Sequence, residues 1–122
     1  MTLLEPGLRG PNATAATWSG VCAFDELLPE RGVCALVGGE QVAIFLVGSE
    51  LFALSNHDPF SRANVLSRGI VGSKGELLKV ASPVYKQNFD LRTGVCLDDP
   101  DVVVPTYPVR ALDGRVEVAL PG

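Results

Sequence analysis

Histidine occurs once in the 122 residues, at position 57, and that scarcity removes more chemistry than any other feature. The three cysteines, Cys22, Cys34 and Cys96, are widely spaced and form no C-x-x-C pair. Structural zinc sites usually draw two ligands from one tight turn, so no Cys₃His site is expected from these thiols and His57. No two basic residues are adjacent, and 10 Lys and Arg against 14 Asp and Glu leave a net charge of −4. Nucleic-acid binders cluster cations to neutralise phosphates, so that class is excluded. Long apolar runs are missing too. The longest aliphatic stretch, residues 42–47, falls far short of the roughly 20 residues that cross a bilayer. Residues 1–16 hold two prolines, two glycines and one Arg, without the apolar core of a signal peptide. A cytoplasmic location with reduced thiols is expected.

What is present is a globular composition, 47% hydrophobic, in a chain long enough for one domain. A domain of this size buries roughly two thirds of its unfolded surface and needs no staple. Residues 1–16, rich in Gly, Pro, Asn and Thr, read as a loose arm. The domain is expected over residues 17–122. Strands are predicted at residues 18–23, 33–37, 41–47, 51–54, 77–81, 88–91, 102–104, 107–112 and 115–120. Gly38-Gly39, Gly48-Ser49 and Asp113-Gly114 punctuate them as hairpin turns. Asp25 is read as the cap of a short helical turn stopped by Pro29. Residues 56–75, with Asp58-Pro59 and three glycines, are expected to form a long loop. No internal repeat is evident. Apolar residues nowhere recur at helical spacing for long, so the pattern predicts an all-β antiparallel sandwich or partly open barrel with at most one or two helical turns.

Several candidate chemistries fail on inspection. His57 beside Asp58 has no nucleophile to activate and reads as a surface residue. Asp98, Asp99 and Asp101 surround Pro100 but lack the glycine and bidentate Glu of a calcium loop, so they read as a solvated turn. Tyr85-Lys86 are neighbours in an extended segment and point to opposite faces. Gly38-Gly39 lacks the rest of a dinucleotide fingerprint.

Two segments carry a specific likeness. Residues 81–94 read Ala-Ser-Pro-Val-Tyr-Lys-Gln-Asn-Phe-Asp-Leu-Arg-Thr-Gly. They resemble the second cluster-binding loop of Rieske ferredoxins, C-P-x-H followed by F-D-x-x-T-G. Asp58-Pro59-Phe60, running on to Leu66-Ser67-Arg68-Gly69, resembles the first loop, C-P-H with its leucine-glycine exit. The combination of D-P-F with S-P-x-Y resembles the small subunits of assimilatory NAD(P)H nitrite reductases. The likeness spans about residues 21–120, with only these two segments specific.

The resemblance implies a Rieske-like fold in which Asp58, Phe60, Ser82 and Tyr85 stand where cluster ligands would be. A Rieske centre needs two thiolates and two imidazoles. One histidine cannot supply them, and no cysteine lies between Cys34 and Cys96. No metal and no cofactor is therefore expected on this chain. Phe60 and Tyr85 are expected to fill the volume left by the cluster, since a void costs about 24 cal/mol per Å³. Asp58 and Ser82 are expected to tie the loops by hydrogen bonds. The resemblance further implies a subunit that is not catalytic alone, partnered by a large catalytic subunit carrying FAD, an iron–sulfur cluster and sirohaem, which reduces nitrite to ammonium in nitrate assimilation. Asp58, Pro59, Phe60, Arg62, Arg68, Tyr85 and Lys86 mix aromatic and Arg character and are the expected docking surface. A stand-alone β-sandwich interaction module, or a [2Fe–2S] ferredoxin or oxygenase component, are the alternatives.

Overall fold

The computed structural model describes residues 16–121. The expected arm over residues 1–16 lies outside these, apart from Ala16, which begins the first strand. The strands are β1 (Ala16–Ala23), β2 (Val33–Val37), β3 (Glu40–Val47), β4 (Glu50–Ser55), β5 (His57–Asp58), β6 (Ala63–Asn64), β7 (Ile70–Lys74), β8 (Leu77–Ala81), β9 (Asn88–Asp90), β10 (Val109–Leu112) and β11 (Arg115–Pro121). Two 3₁₀ turns, Phe24–Glu26 and Leu66–Arg68, are the helical content of the described residues. Three antiparallel sheets result, in the orders β1-β11-β10, β2-β3-β4 and β7-β8-β9, with β5 and β6 forming a small ribbon.

The central sheet decides the architecture. Residues 42–47 are continuously apolar, the pattern of a strand covered on both faces. Successive side chains of a strand point to opposite sides, and β3 uses both. Ala43 and Phe45 join Phe52, Leu54, Leu66, Val80 and Phe89 in one core, beneath β7-β8-β9. Val42, Ile44 and Leu46 join Leu27, Val37, Ala53, Val116 and Val118 in the other, beneath β1-β11-β10. The domain is a three-layer stack with β2-β3-β4 in the middle.

Turn chemistry sets the registers. Gly38-Gly39 joins β2 to β3, Gly48-Ser49 joins β3 to β4, and Asp113-Gly114 joins β10 to β11. Gly38 and Gly39 at φ of 55° and 85°, and Asp113 and Gly114 at 52° and 80°, have the paired positive φ of type I′ turns, whose twist matches the flanking strands. Gly94 is required by close approach: φ is 77°, and a Cβ there would meet the Val104 carbonyl oxygen at 2.0 Å.

Four expectations need correction. Residues 56–75 are not a structureless loop: they contain β5, β6, a 3₁₀ turn and β7. The strand β7 pairs with β8 through Ile70↔Ala81 to Lys74↔Leu77, but Ile70 is exposed and Val71 and Gly72 are only half-buried, so no apolar alternation marked it. Residues 102–104 are not a ladder strand. Val103 forms one bridge with Val95, and the flanking Pro100 and Pro105 cannot donate to a ladder. Asp25 is not a cap, because Ala23 occupies that position and its N–H donates to the Glu26 carboxylate at 2.7 Å. The segment expected to run as a strand from 107 enters the sheet only at Val109, after Pro108.

Phe45, fully buried in the first core, is expected to cost about 3–5 kcal/mol on replacement by Ala. Leu36, 73% exposed on the same sheet, should change stability by less than about 0.5 kcal/mol on the same replacement. Urea unfolding of both variants checks the pair; equal losses would rule out the three-layer packing.

Candidate functional site

The two segments singled out in the sequence meet at one end of the domain. Asp58 ends β5, and Ser82 follows β8, so one comes from the chain leaving the central sheet and the other from an outer sheet. Both are fully buried, and the Ser82 hydroxyl donates to Asp58 Oδ2 at 2.5 Å. The Ser61 hydroxyl donates to the same oxygen at 2.9 Å, and the Phe60 N–H donates to Oδ1 at 2.9 Å. Burial by itself pushes the Asp58 carboxyl up. The Ser82 hydrogen bond, then those from the Phe60 N–H and from Ser61, outweigh it and hold the carboxyl below its ordinary value. Asp58 is an anion whose field is spent inside the protein.

The tips share one construction. In Asp58-Pro59-Phe60-Ser61-Arg62 the N–H of the fifth residue donates to the carbonyl of the first at 2.7 Å, and in Ser82-Pro83-Val84-Tyr85-Lys86 at 3.1 Å. In each, the N–H of the third residue donates to the side-chain oxygen of the first, at 2.9 Å and 3.3 Å. Each ends on a basic residue in the left-handed region, Arg62 at φ 62° and Lys86 at φ 66°. This five-residue repeat was not seen in the sequence, because only Pro and the final basic residue are of one kind in both copies.

The remaining candidates divide. Phe60 is half-buried and its ring lies 6.2 Å from that of Phe89, tilted by 50°. Pro59 is half-buried, and Arg62, Arg68 and Lys86 are exposed. Tyr85 departs from expectation. It is 60% exposed and fills no interior volume. The Asp58–Ser82 bond joins the tips directly, without a ring between them. Arg68 lies apart from the tips in a shallow groove with Glu30, Arg31, Ile70 and Val71.

Asn56 escaped the sequence reading. It is 2% exposed. Its Nδ2 donates to the Asn64 carbonyl at 3.0 Å and to Gln41 Oε1 at 3.2 Å, and Oδ1 accepts from the Ser67 N–H at 2.6 Å. It fixes the start of the first tip to the central sheet. The only available signal was an Asn following an apolar strand. The F-D-x-x-T-G motif also has a structural meaning: Phe89 is core, Asp90 Oδ1 accepts from the Arg92 N–H at 2.8 Å, and the Asp90 carbonyl accepts from the Gly94 N–H at 2.8 Å. It is a turn signature.

Elsewhere, His57 is exposed and its Nδ1 lies 3.3 Å from Asn64 Oδ1. Asp98 accepts from the Asn88 N–H at 2.7 Å. The three cysteines are free thiols, with Cys96 buried, Cys22 half-buried and Cys34 exposed. Among the described residues no cluster of three His, Cys, Asp or Glu side chains is placed to hold a metal, and no helix is long and apolar enough to cross a membrane.

Comparison with known proteins follows the same lines. The family profile of the Rieske-like [2Fe-2S] domain matches residues 17–119. The nitrite reductase (NADH) small subunit of Salmonella typhimurium is 48% identical over 103 residues, 83% of this chain and 95% of the relative. The chain belongs to the Rieske-like family and, within it, to the nitrite reductase small subunits. A crystal structure of a Mycobacterium tuberculosis protein described as an NADH-dependent nitrite reductase small subunit superposes with a TM-score of 0.85, at 48% identity over 88% of this chain and 97% of that one. The nitrite reductase [NAD(P)H] large subunit of Klebsiella oxytoca contains a related stretch, 38% identical over 108 residues, covering 88% of this chain and 11% of that protein. The anthranilate 1,2-dioxygenase ferredoxin subunit of Burkholderia cepacia is 36% identical over 108 residues, 87% of this chain and 94% of that one.

The family is described by its [2Fe–2S] cluster, and the residues here do not fit one. Such a centre needs thiolates and imidazoles. The tips offer a carboxylate and a hydroxyl bonded directly to each other, a half-buried phenyl ring and an exposed phenol.

Replacing Ser82 by Ala is expected to cost about 1–3 kcal/mol, since it leaves a buried carboxylate short of a donor. A lowered folded pKa contributes stability above the unfolded value that is lost as pH falls through the folded one. Wild-type stability should therefore drop below about pH 4. In Ser82→Ala the folded value rises toward the unfolded one, so less of that acid loss remains. Thermal melts between about pH 2 and 6 check this; identical acid slopes would exclude the bond as the cause.

Proposed function

We propose that this chain is the cluster-free small subunit of an assimilatory NAD(P)H nitrite reductase, acting in the cytoplasm as a docking partner and not as a redox carrier. The observation that carries this reading is the Asp58–Ser82 hydrogen bond, which links the two tips directly where a Rieske protein would interpose iron and sulfur. The large catalytic subunit would hold FAD, an iron–sulfur cluster and sirohaem, and would reduce nitrite to ammonium. The Klebsiella large subunit supports the partnership: there a stretch like this chain is covalently part of a protein of that name. Fold alone does not license a function; what supports this one is near-complete coverage of the small subunits at 48% identity.

The loop end is the docking surface in this reading. Asp58 shapes it from beneath, Pro59 and Phe60 stiffen the first tip, and Arg62, Tyr85 and Lys86 face solvent, with Arg68 on the adjoining groove. Tyr and Arg are the types enriched at interface centres. Tyr85, having no interior role, is free to enter a pocket of the partner.

The purified chain is expected to be colourless and without iron or acid-labile sulfide. A red-brown protein with stoichiometric iron would establish the ferredoxin alternative instead. Co-expression with the large subunit should yield a stable complex with nitrite-dependent NADH or NADPH oxidation. Tyr85→Ala, folded as judged by its melt, should bind the large subunit about tenfold more weakly; undiminished binding would remove Tyr85 from the interface.

A further inference from the structure

The two tips close on residues whose type the local fold does not explain. A left-handed backbone at the end of a turn is met most cheaply by glycine, and next by Asn or Asp. The chain uses glycine freely at such places: Gly38, Gly39, Gly48, Gly75, Gly94 and Gly114 all have positive φ. Among the described residues four others share that region, Glu30, Arg62, Lys86 and Asp113. Asp113 is the ordinary first residue of a type I′ turn. Arg62 and Lys86 are not accounted for in this way. They occupy equivalent places in the two copies of one turn, and each keeps a long cationic side chain against the backbone preference.

Those side chains do little inside the molecule. Both residues are exposed. The ion pairs among the described residues are Arg92–Glu50 and Arg110–Glu117, so neither takes part in one. Lys86 Nζ donates to the Pro83 carbonyl within its own turn at 3.3 Å. The nearby counter-charge is mostly buried or paired. Residues 50–90 hold five of the ten basic residues, Arg62, Arg68, Lys74, Lys79 and Lys86, against four carboxylates, Glu50, Asp58, Glu76 and Asp90. Asp58 and Asp90 are buried, Glu50 pairs with Arg92, and Glu76 lies in the turn between β7 and β8. Asp98, which reaches this region from a later segment, is engaged by Asn88, and Arg68 shares its groove with Glu30. Within a chain of net charge −4, the two tips thus carry exposed cations held on left-handed backbone. Strain that persists at paired positions marks function more often than accident.

We infer that Arg62 and Lys86 are a matched pair of docking charges for an acidic patch on the large subunit. This inference rests on the docking reading above. The Asp58–Ser82 bond fixes the spacing of the two turns, and so presents both cations as one rigid unit. Such charges govern encounter rate and salt dependence more than they add buried area.

The test is binding of the full chain to the purified large subunit at about 50 mM and about 300 mM salt, with wild type compared to the double variant Arg62→Gly, Lys86→Gly. Glycine relieves the backbone, so the variant is expected to melt at or above wild type. It should bind about tenfold or more weakly at low salt, and the gap should narrow at high salt. Unchanged affinity at low salt overturns the inference. So does a lower melting temperature, which would make the side chains structural. If the glycine pair does not fold, Arg62→Asn, Lys86→Asn, which also tolerates this backbone, is measured the same way, and unchanged affinity again overturns the inference. Failure of wild type to bind would instead sink the docking reading itself.

Discussion

A buried carboxylate needs donors, and at the loop end of this domain that requirement organises everything around it. Asp58 has no contact with water, and an unpaired anion in such a place would cost several kcal/mol. Three side-chain and backbone donors, from Ser82, Phe60 and Ser61, resolve this. Two of them belong to the first turn and give it its shape. The third belongs to the second turn and brings it from the outer sheet against the chain leaving the central one. The bond is therefore both the local cap of one tip and the tie between layers.

Because the tie is made by protein groups alone, the loop pair holds its form by hydrogen bonding where a cluster-bearing relative would use coordination. The change alters what the surface can do. With the Asp58 carboxylate buried and bonded, the exposed charges of the two tips are Arg62 and Lys86. Tyr85 is exposed on the second tip, next in sequence to Lys86. The same logic explains why F-D-x-x-T-G persists with or without a metal: it closes a turn behind Phe89, a core residue of the layer that supports the second tip.

The support for that end comes from the central sheet. The strand β3 is buried along residues 42–46, and the alternation of its side chains stitches both cores to one ladder. Asn56 extends this rigidity outward. It follows β4 directly, and its amide and backbone bind Gln41, Asn64, Leu66 and Ser67. A fully bonded polar residue of this kind specifies one loop conformation, because any other would strand its donors and acceptor.

Much of this was legible in the linear chain. The apolar run at 42–47, the glycine pairs and Asp113-Gly114 determined strands and turns through local sterics and period-two patterning, which act over a few residues. The D-P-F and S-P-x-Y segments determined family and the lack of a ligand set, since counting one histidine requires no geometry. Tertiary structure alone decided the rest. The strand β7 exists because β8 pairs with it, and residues 102–104 fail as a strand because their pairing with residues 94–96 stops at one bridge between Pro100 and Pro105. Tyr85 faces solvent, and the tips are joined instead by a hydrogen bond between residues far apart in sequence. Asn56, and the shared turn ending in Arg62 and Lys86, emerged only once backbone conformation was known. Sequence patterns record what each residue prefers; which residue's preference yields is settled where distant segments compete for the same volume and the same donors.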